Sequence, residues 1–114
     1  MGLQSFPAQK QGSRKLNRLR LGVPATLELM HEKRSCVIDD ISMAGARLKI
    51  DRPLAPEQGL ILSFHELRVF ATVIWVRGNN CGLRFDPRLD PEDMQGMLWI
   101  KENRAAYDKM FAAS

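Results

Sequence analysis

Apolar and polar residues alternate along the chain between residues 22 and 86, which is the pattern of β-strands that bury one face. The alternation recurs in short segments separated by polar, Gly or Pro residues, and one segment, residues 67–77, is apolar on both faces. The other predicted inward positions are Val23, Ala25, Leu27 and Leu29, then Cys36 and Ile38, then Ala46, Leu48 and Ile50, then Leu60, Leu62 and Phe64, and finally Cys81, Leu83 and Phe85. Regular turn signals between short strands favour an antiparallel barrel over a parallel α/β sheet. The sequence therefore predicts an all-β fold, a six-stranded antiparallel β-barrel.

A C-terminal α-helix is predicted over residues 91–110. Asp90 is suited to the N-cap and Pro91 to the first helical position, while Glu92 and Asp93 favour the positive end of the helix dipole. The predicted apolar face consists of Met94, Met97, Leu98 and Ala105, widened by Trp99 and Ile100. We expect this face to cover one mouth of the barrel.

Charge is distributed unevenly along the 114 residues, although the net value is only +4. The first 20 residues hold five basic side chains and no acid, so the other 12 basic residues nearly balance all 13 acidic ones. A basic arm on a near-neutral body suits the capture of a polyanion, whether a dinucleotide, a nucleic acid or an acidic membrane surface. Residues 1–11 are poor in apolar side chains and are predicted to be a disordered tail.

Several functional classes find no support in the sequence. No run of 18 apolar residues and no secretory signal occurs, so we expect no membrane span and a cytoplasmic location. Cys36 and Cys81 lie too far apart for a redox pair and are predicted to be buried, reduced thiols. His31 and His65 fall in polar turns without a recognisable nucleophile nearby. We therefore predict no metal site and no catalytic activity.

Two short motifs carry the candidate chemistry: RKLNR at residues 14–18 and DISMAG at residues 40–45. The planar fork of arginine matches phosphate oxygens and the O6/N7 edge of guanine. Aspartate and serine provide an acceptor and a hydroxyl suited to N1, N2 and O6 of guanine. Together the motifs predict a receptor for a guanine nucleotide.

The ordered pair RxxxR and DxSxxG resembles the PilZ domain, a bacterial receptor for the second messenger cyclic di-GMP. The segments VIWV at 73–76 and CGLRF at 81–85 resemble the closing strands of the same family. The resemblance runs from residue 12 to the C-terminus. It implies a single PilZ domain over residues 12–114, made of an RxxxR arm (12–20), a PilZ-type barrel (22–86) and the C-terminal helix.

The resemblance also implies a role for each residue of the two motifs. Arg14 and Arg18 would contact phosphate or guanine, Asp40 would accept hydrogen bonds from guanine N1 and N2, Ser42 would orient the turn and contact the ligand, and Gly45 would allow close approach. Cyclic di-GMP would be the ligand, and no cofactor is implied. Ordering of the arm over the ligand would signal to an unidentified downstream protein, from a receptor that is a monomer or weak homodimer.

Simpler interpretations of the same residues remain open. Arg14 and Arg18 could be solvated charges of a basic tail, and Asp40 and Ser42 could form an ordinary polar turn before a glycine.

Two other function classes also remain open. Small barrels bind single-stranded nucleic acid through exposed aromatics on a basic face, but Phe64, Trp75 and Phe85 are predicted to face inward. A PilZ-like domain that has lost its ligand could serve as a protein-interaction module, yet both arginines of the first motif are present.

Overall fold

The structure is a computed structural model that describes residues 18–112, with side chains for residues 18–110. Its elements are β1 (Leu19–Glu28), β2 (Lys33–Ile41), β3 (Gly45–Ile50), β4 (Gly59–Phe64), β5 (Leu67–Arg77), β6 (Asn80–Phe85), α1 (Pro91–Glu102) and α2 (Arg104–Ala112). The strands close into an antiparallel barrel in the order β1-β2-β3-β6-β5-β4. This confirms the predicted six-stranded barrel. Because β3 pairs with β6, the barrel brings together segments that are distant in sequence.

Alternation along the strands fills the inside of the barrel with apolar side chains. Leu27, Ile38, Leu48 and Leu62 are completely buried at its centre, as the sequence pattern predicts. The first strand begins earlier than residue 22, because Leu19 and Leu21 continue the buried face. The last two residues of the segment predicted to be an arm are therefore the start of β1.

Three register shifts interrupt the ladders, and they decide which side chains reach the outer surface. They lie between Arg20 and Val23 in β1, between Ile38 and Asp40 in β2, and between Val73 and Trp75 in β5. An extra residue in a strand reverses the faces that follow it. Asp40 and Trp75 consequently point outward, although simple alternation from Ile38 and Val73 would place them inside.

The expectation that Trp75 faces inward was therefore wrong. Its side chain is 39% exposed, and Val76 packs against the core in its place.

The C-terminal segment forms two helices rather than the single predicted helix over 91–110. At the start of α1, Asp93 N–H donates to Asp90 Oδ1 at 2.8 Å and Asp90 N–H donates to Asp93 Oδ2 at 3.2 Å, which confirms the predicted N-cap. At its end Asn103 leaves helical geometry, and both its backbone N–H and its side-chain amide donate to Trp99 O. This double capping ends α1, and α2 starts at the next residue.

The helices pack on the barrel through a partly different set of residues from the one predicted, because Leu98 packs against the core as expected and Tyr107 of α2 is also buried in it. Met94, Met97 and Ile100 are buried in the same core cluster as the strands, but Trp99 is 45% exposed and Ala105 is also exposed. The second helix is tied to β1 because Arg104 Nη1 donates to Leu21 O at 2.8 Å.

Both cysteines are buried free thiols, as predicted. Burial raises the pKa of Cys36 to about 12 and that of Cys81 to about 11, so both stay protonated at neutral pH. Within residues 18–112, no three His, Cys, Asp or Glu side chains are grouped in a way that could hold a metal ion. Neither α1 nor α2 is long and apolar enough to span a bilayer.

Candidate functional site

A groove of about 370 Å³ on the outer face of the barrel contains four of the five predicted site residues. Arg18 enters it from the position just before β1, Asp40 from β2, Ser42 from the β2–β3 turn and Gly45 from the start of β3. The fifth predicted residue, Arg14, lies outside the described residues, as does most of the predicted arm. The barrel thus brings the end of the first motif beside the second.

The DISMAG turn is held in place by the hydroxyl group of Ser42. Ser42 Oγ accepts hydrogen bonds from the backbone N–H groups of Ala44 and Gly45, both at 3.2 Å, and donates to Gly45 O at 3.3 Å. Backbone bonds from Phe85 N–H to Ala44 O and from Leu89 N–H to Met43 O anchor the turn to β6 and the segment after it. The hydroxyl group of Ser42 therefore helps to orient the turn together with these backbone bonds, while its contact with a ligand stays a prediction.

Gly45 lies where β3 passes close to the backbone of β6. A Cβ at this position would collide with Leu83 O and come within 3.3 Å of Arg84 Cα. Gly45 is paired with Arg84 in this ladder. In the barrel, the backbone of β6 itself thus makes a close approach to Gly45 of the kind that a Cβ would block.

Asp40 is buried by an ion pair on the outer face. Arg47, its direct cross-strand partner on β3, places Nη2 3.0 Å from Asp40 Oδ2, and the Asp40 side chain is only 10% exposed. The neighbouring Asp39 pairs more loosely with Lys49, at 3.7 Å. The sequence predicted that Asp40 would reach out of the sheet, but not that a cation from the next strand would cover it.

A tryptophan completes the floor of the groove. Arg47 is paired with Gly82 on β6, and Gly82 with Trp75 on β5. The indole lies over Gly82, where any side chain would collide with it. A carboxylate on β2, a guanidinium on β3 and an aromatic ring on β5 therefore lie in one row across four adjacent strands, with Gly82 of β6 between the last two.

Comparison with protein families identifies this architecture. The model of the PilZ domain matches residues 12–100, which includes both motifs and all six strands. The chain belongs to the PilZ family. No curated protein matches the sequence significantly.

Two solved structures are similar to this PilZ domain. One is the Borreliella burgdorferi PlzA protein in complex with c-di-GMP, with a TM-score of 0.55, 18% identity, and coverage of 80% of this chain and 43% of that chain. The other is the uncharacterized Legionella protein Lpg0364, with a TM-score of 0.45, 21% identity, and coverage of 81% and 97%. The chain thus spans less than half of PlzA, and at this identity the likeness to PlzA concerns the fold.

Sequence reasoning missed three residues that line the groove of this PilZ domain: Arg47, Trp75 and Arg84. Arg47 and Arg84 occupy outward positions of predicted strands, which was a usable signal once β3 and β6 were known to be neighbours. Arg18 and Arg84 are exposed and have no carboxylate partner within residues 18–112. The groove therefore offers cations for an anion beside an aromatic face for a planar group.

A larger groove of about 660 Å³ lies elsewhere, between the helices and the β4–β5 turn. Phe70, Trp99 and Met110 expose apolar surface in it, but it contains none of the predicted site residues.

Proposed function

We propose that this PilZ domain is a receptor for cyclic di-GMP and binds it in the groove beside the DISMAG turn. The observation that carries the proposal is that Arg18, Asp40, Ser42 and Gly45 line one groove, although 21 residues separate Arg18 from the second motif. Family membership supports it, and so does the structural neighbour PlzA, which was solved in complex with c-di-GMP.

The groove offers a partner for each part of such a ligand. Arg18 and Arg84 can make charge-assisted contacts with the phosphates, together with Arg14 of the arm. Asp40 would accept hydrogen bonds from guanine N1 and N2. The exposed face of Trp75 suits a base, since stacking on an aromatic side chain contributes about 1–3 kcal/mol per base.

Binding rather than catalysis is the proposed activity, and the arm is the proposed output. Arg18 directly precedes Leu19, the first residue of β1, so a ligand held by Arg18 lies at the junction of arm and barrel. Closure of the arm over the ligand would create the surface that a downstream protein in the cytoplasm recognises.

The proposal predicts selectivity for guanine. In calorimetric titrations we expect cyclic di-GMP to bind at least about tenfold more tightly than cyclic di-AMP, because adenine has no N1–H or N2 donor for Asp40. GMP and GTP should also bind more weakly, since neither presents two guanines in a compact ring.

The matched variants are Asp40→Asn and Asp39→Asn, which remove the same charge from adjacent residues. Selectivity should fall in the first and persist in the second, because Asp39 lies in the neighbouring groove rather than this one. Equal binding of the two cyclic dinucleotides by the wild-type protein would contradict the base-reading role of Asp40.

A nucleic-acid ligand is the second candidate, and one observation favours it. The argument against it relied on an inward-facing Trp75, yet this ring is exposed beside Arg18 and Arg84. Single strands bind to exposed aromatics flanked by cations, and their affinity falls steeply with salt. The burial of Phe64 and Phe85 argues against a nucleic-acid ligand. Of the three aromatic residues Phe64, Trp75 and Phe85, Trp75 alone is exposed.

A further inference from the structure

The carboxylate of Asp40, which is proposed to bind guanine, is already paired with Arg47. Asp40 is the one buried charged residue within the described part of the chain, and Nη2 of Arg47 lies 3.0 Å from its Oδ2. Guanine presents N1–H and N2–H side by side, which is the donor arrangement that a guanidinium also offers. A guanine and Arg47 would therefore compete for Oδ2 of Asp40.

Arg47 is held in this position incompletely. Its Nε atom is buried and has no hydrogen-bond partner in the described structure, which costs free energy in the ligand-free state. The side chain as a whole is 43% exposed, so it has a route to solvent.

There is also space for the displaced side chain. Arg47 lines a second groove of about 370 Å³ together with Arg20, Asp39 and Lys49. Asp39 has a long, 3.7 Å contact with Lys49, and its carboxylate can accept a second cation. Arg47 can therefore exchange one aspartate for its neighbour without leaving the barrel surface.

We infer that Arg47 is an internal competitor of the ligand, which must release Asp40 before a guanine can bind; this inference rests on the proposed function. The pair keeps the buried carboxylate compensated while the site is empty, and the free energy of opening it is subtracted from the binding energy of the ligand. Arg47 thereby sets the affinity of the site without being required for binding.

The test is the variant Arg47→Met, which keeps the aliphatic length and removes the guanidinium. We expect cyclic di-GMP to bind about 3- to 10-fold more tightly in calorimetry, because no ion pair has to open. Arg77→Met is the matched control: it makes the same substitution at an exposed arginine that lines neither groove, and it leaves both the Asp40–Arg47 and the Asp39–Lys49 pairs intact. It should leave the affinity unchanged or slightly weaker.

A second comparison isolates the pair itself. In an Asp40→Asn background, Arg47→Met should give no tightening, because the carboxylate that Arg47 occupies is gone. Melting curves show whether each variant folds, and Arg47→Gln serves if Arg47→Met does not fold.

The outcomes separate this inference from the proposed function. If the wild-type protein binds cyclic di-GMP and Arg47→Met binds equally or more weakly, the competitor role is overturned, and weaker binding would mean that Arg47 contacts the ligand. If neither protein binds, the receptor proposal fails and the inference with it. Binding by Arg47→Met alone would support both, with the pair closed in the wild-type protein.

Discussion

Replacing Arg18 by Ala is expected to weaken the binding of cyclic di-GMP by about 10- to 150-fold without changing the melting temperature of the free protein. The loss corresponds to one charge-assisted contact of about 1.5–3 kcal/mol. Stability should be unaffected because Arg18 is exposed and precedes the first barrel residue, Leu19. Calorimetric titration and thermal melting measure the two quantities independently, and we expect Arg14→Ala to behave in the same way.

Arg77→Ala is the matched control for Arg18→Ala. Arg77 is also exposed and carries the same charge, but it is the last residue of β5 and does not line the groove. Its replacement tests general electrostatic attraction and should change the affinity little at physiological salt. Equal losses in both variants would mean that Arg18 contributes only to the overall charge, and early melting of Arg18→Ala would mean that this residue is structural.

Replacing Gly45 by Ala is expected to destabilise the barrel by about 3 kcal/mol, which lowers the melting temperature by roughly 10–15 °C. The added Cβ would meet the carbonyl group of Leu83, and this obstacle is backbone within a paired strand. Neither strand can move without breaking the β3–β6 ladder. Thermal melting followed by circular dichroism measures the effect.

Gly96→Ala provides a control with the opposite sign. Gly96 lies within α1, and a Cβ there meets no atom within 4 Å, so Ala should stabilise the helix by about 0.5–1 kcal/mol. If Gly45→Ala instead keeps its melting temperature and loses only cyclic di-GMP binding, Gly45 serves ligand approach rather than barrel closure.

The barrel could be predicted from the sequence because its signal is local. A two-residue period identifies a strand and its buried face without knowledge of the neighbours, as at Ile38 and Leu48. The register shifts could not be predicted in this way, because a bulge is defined by pairing with another strand. The misplacement of Trp75 follows directly from the shift after Val73.

The candidate site was predictable to the extent that its residues lie in contiguous motifs. Asp40, Ser42 and Gly45 come from one turn, and their presence in the groove with Arg18 fits the order of the motifs. Arg84 and Trp75 arrive from β6 and β5, and only the strand order β3-β6-β5 places them there. A motif search has no access to that neighbourhood.

The division of the C-terminal helix had a local signal that was not used. The short amide side chain of asparagine can hydrogen-bond to a backbone carbonyl four residues back, and Asn103 ends α1 with two hydrogen bonds to the carbonyl group of Trp99. The apolar pattern alone continued past it and suggested one longer helix.

Amide hydrogen exchange with and without cyclic di-GMP tests the central claim, that one ligand bridges the arm and the DISMAG turn. Saturating ligand is expected to slow exchange in residues 12–18, which precede β1, and in residues 40–45 together, because both segments contact the same molecule. The β4–β5 turn and α1, which line the larger groove, provide the internal control and should not change. The receptor account would be contradicted if residues 12–18 stay unprotected at saturation, or if single-stranded RNA protects them better at physiological salt.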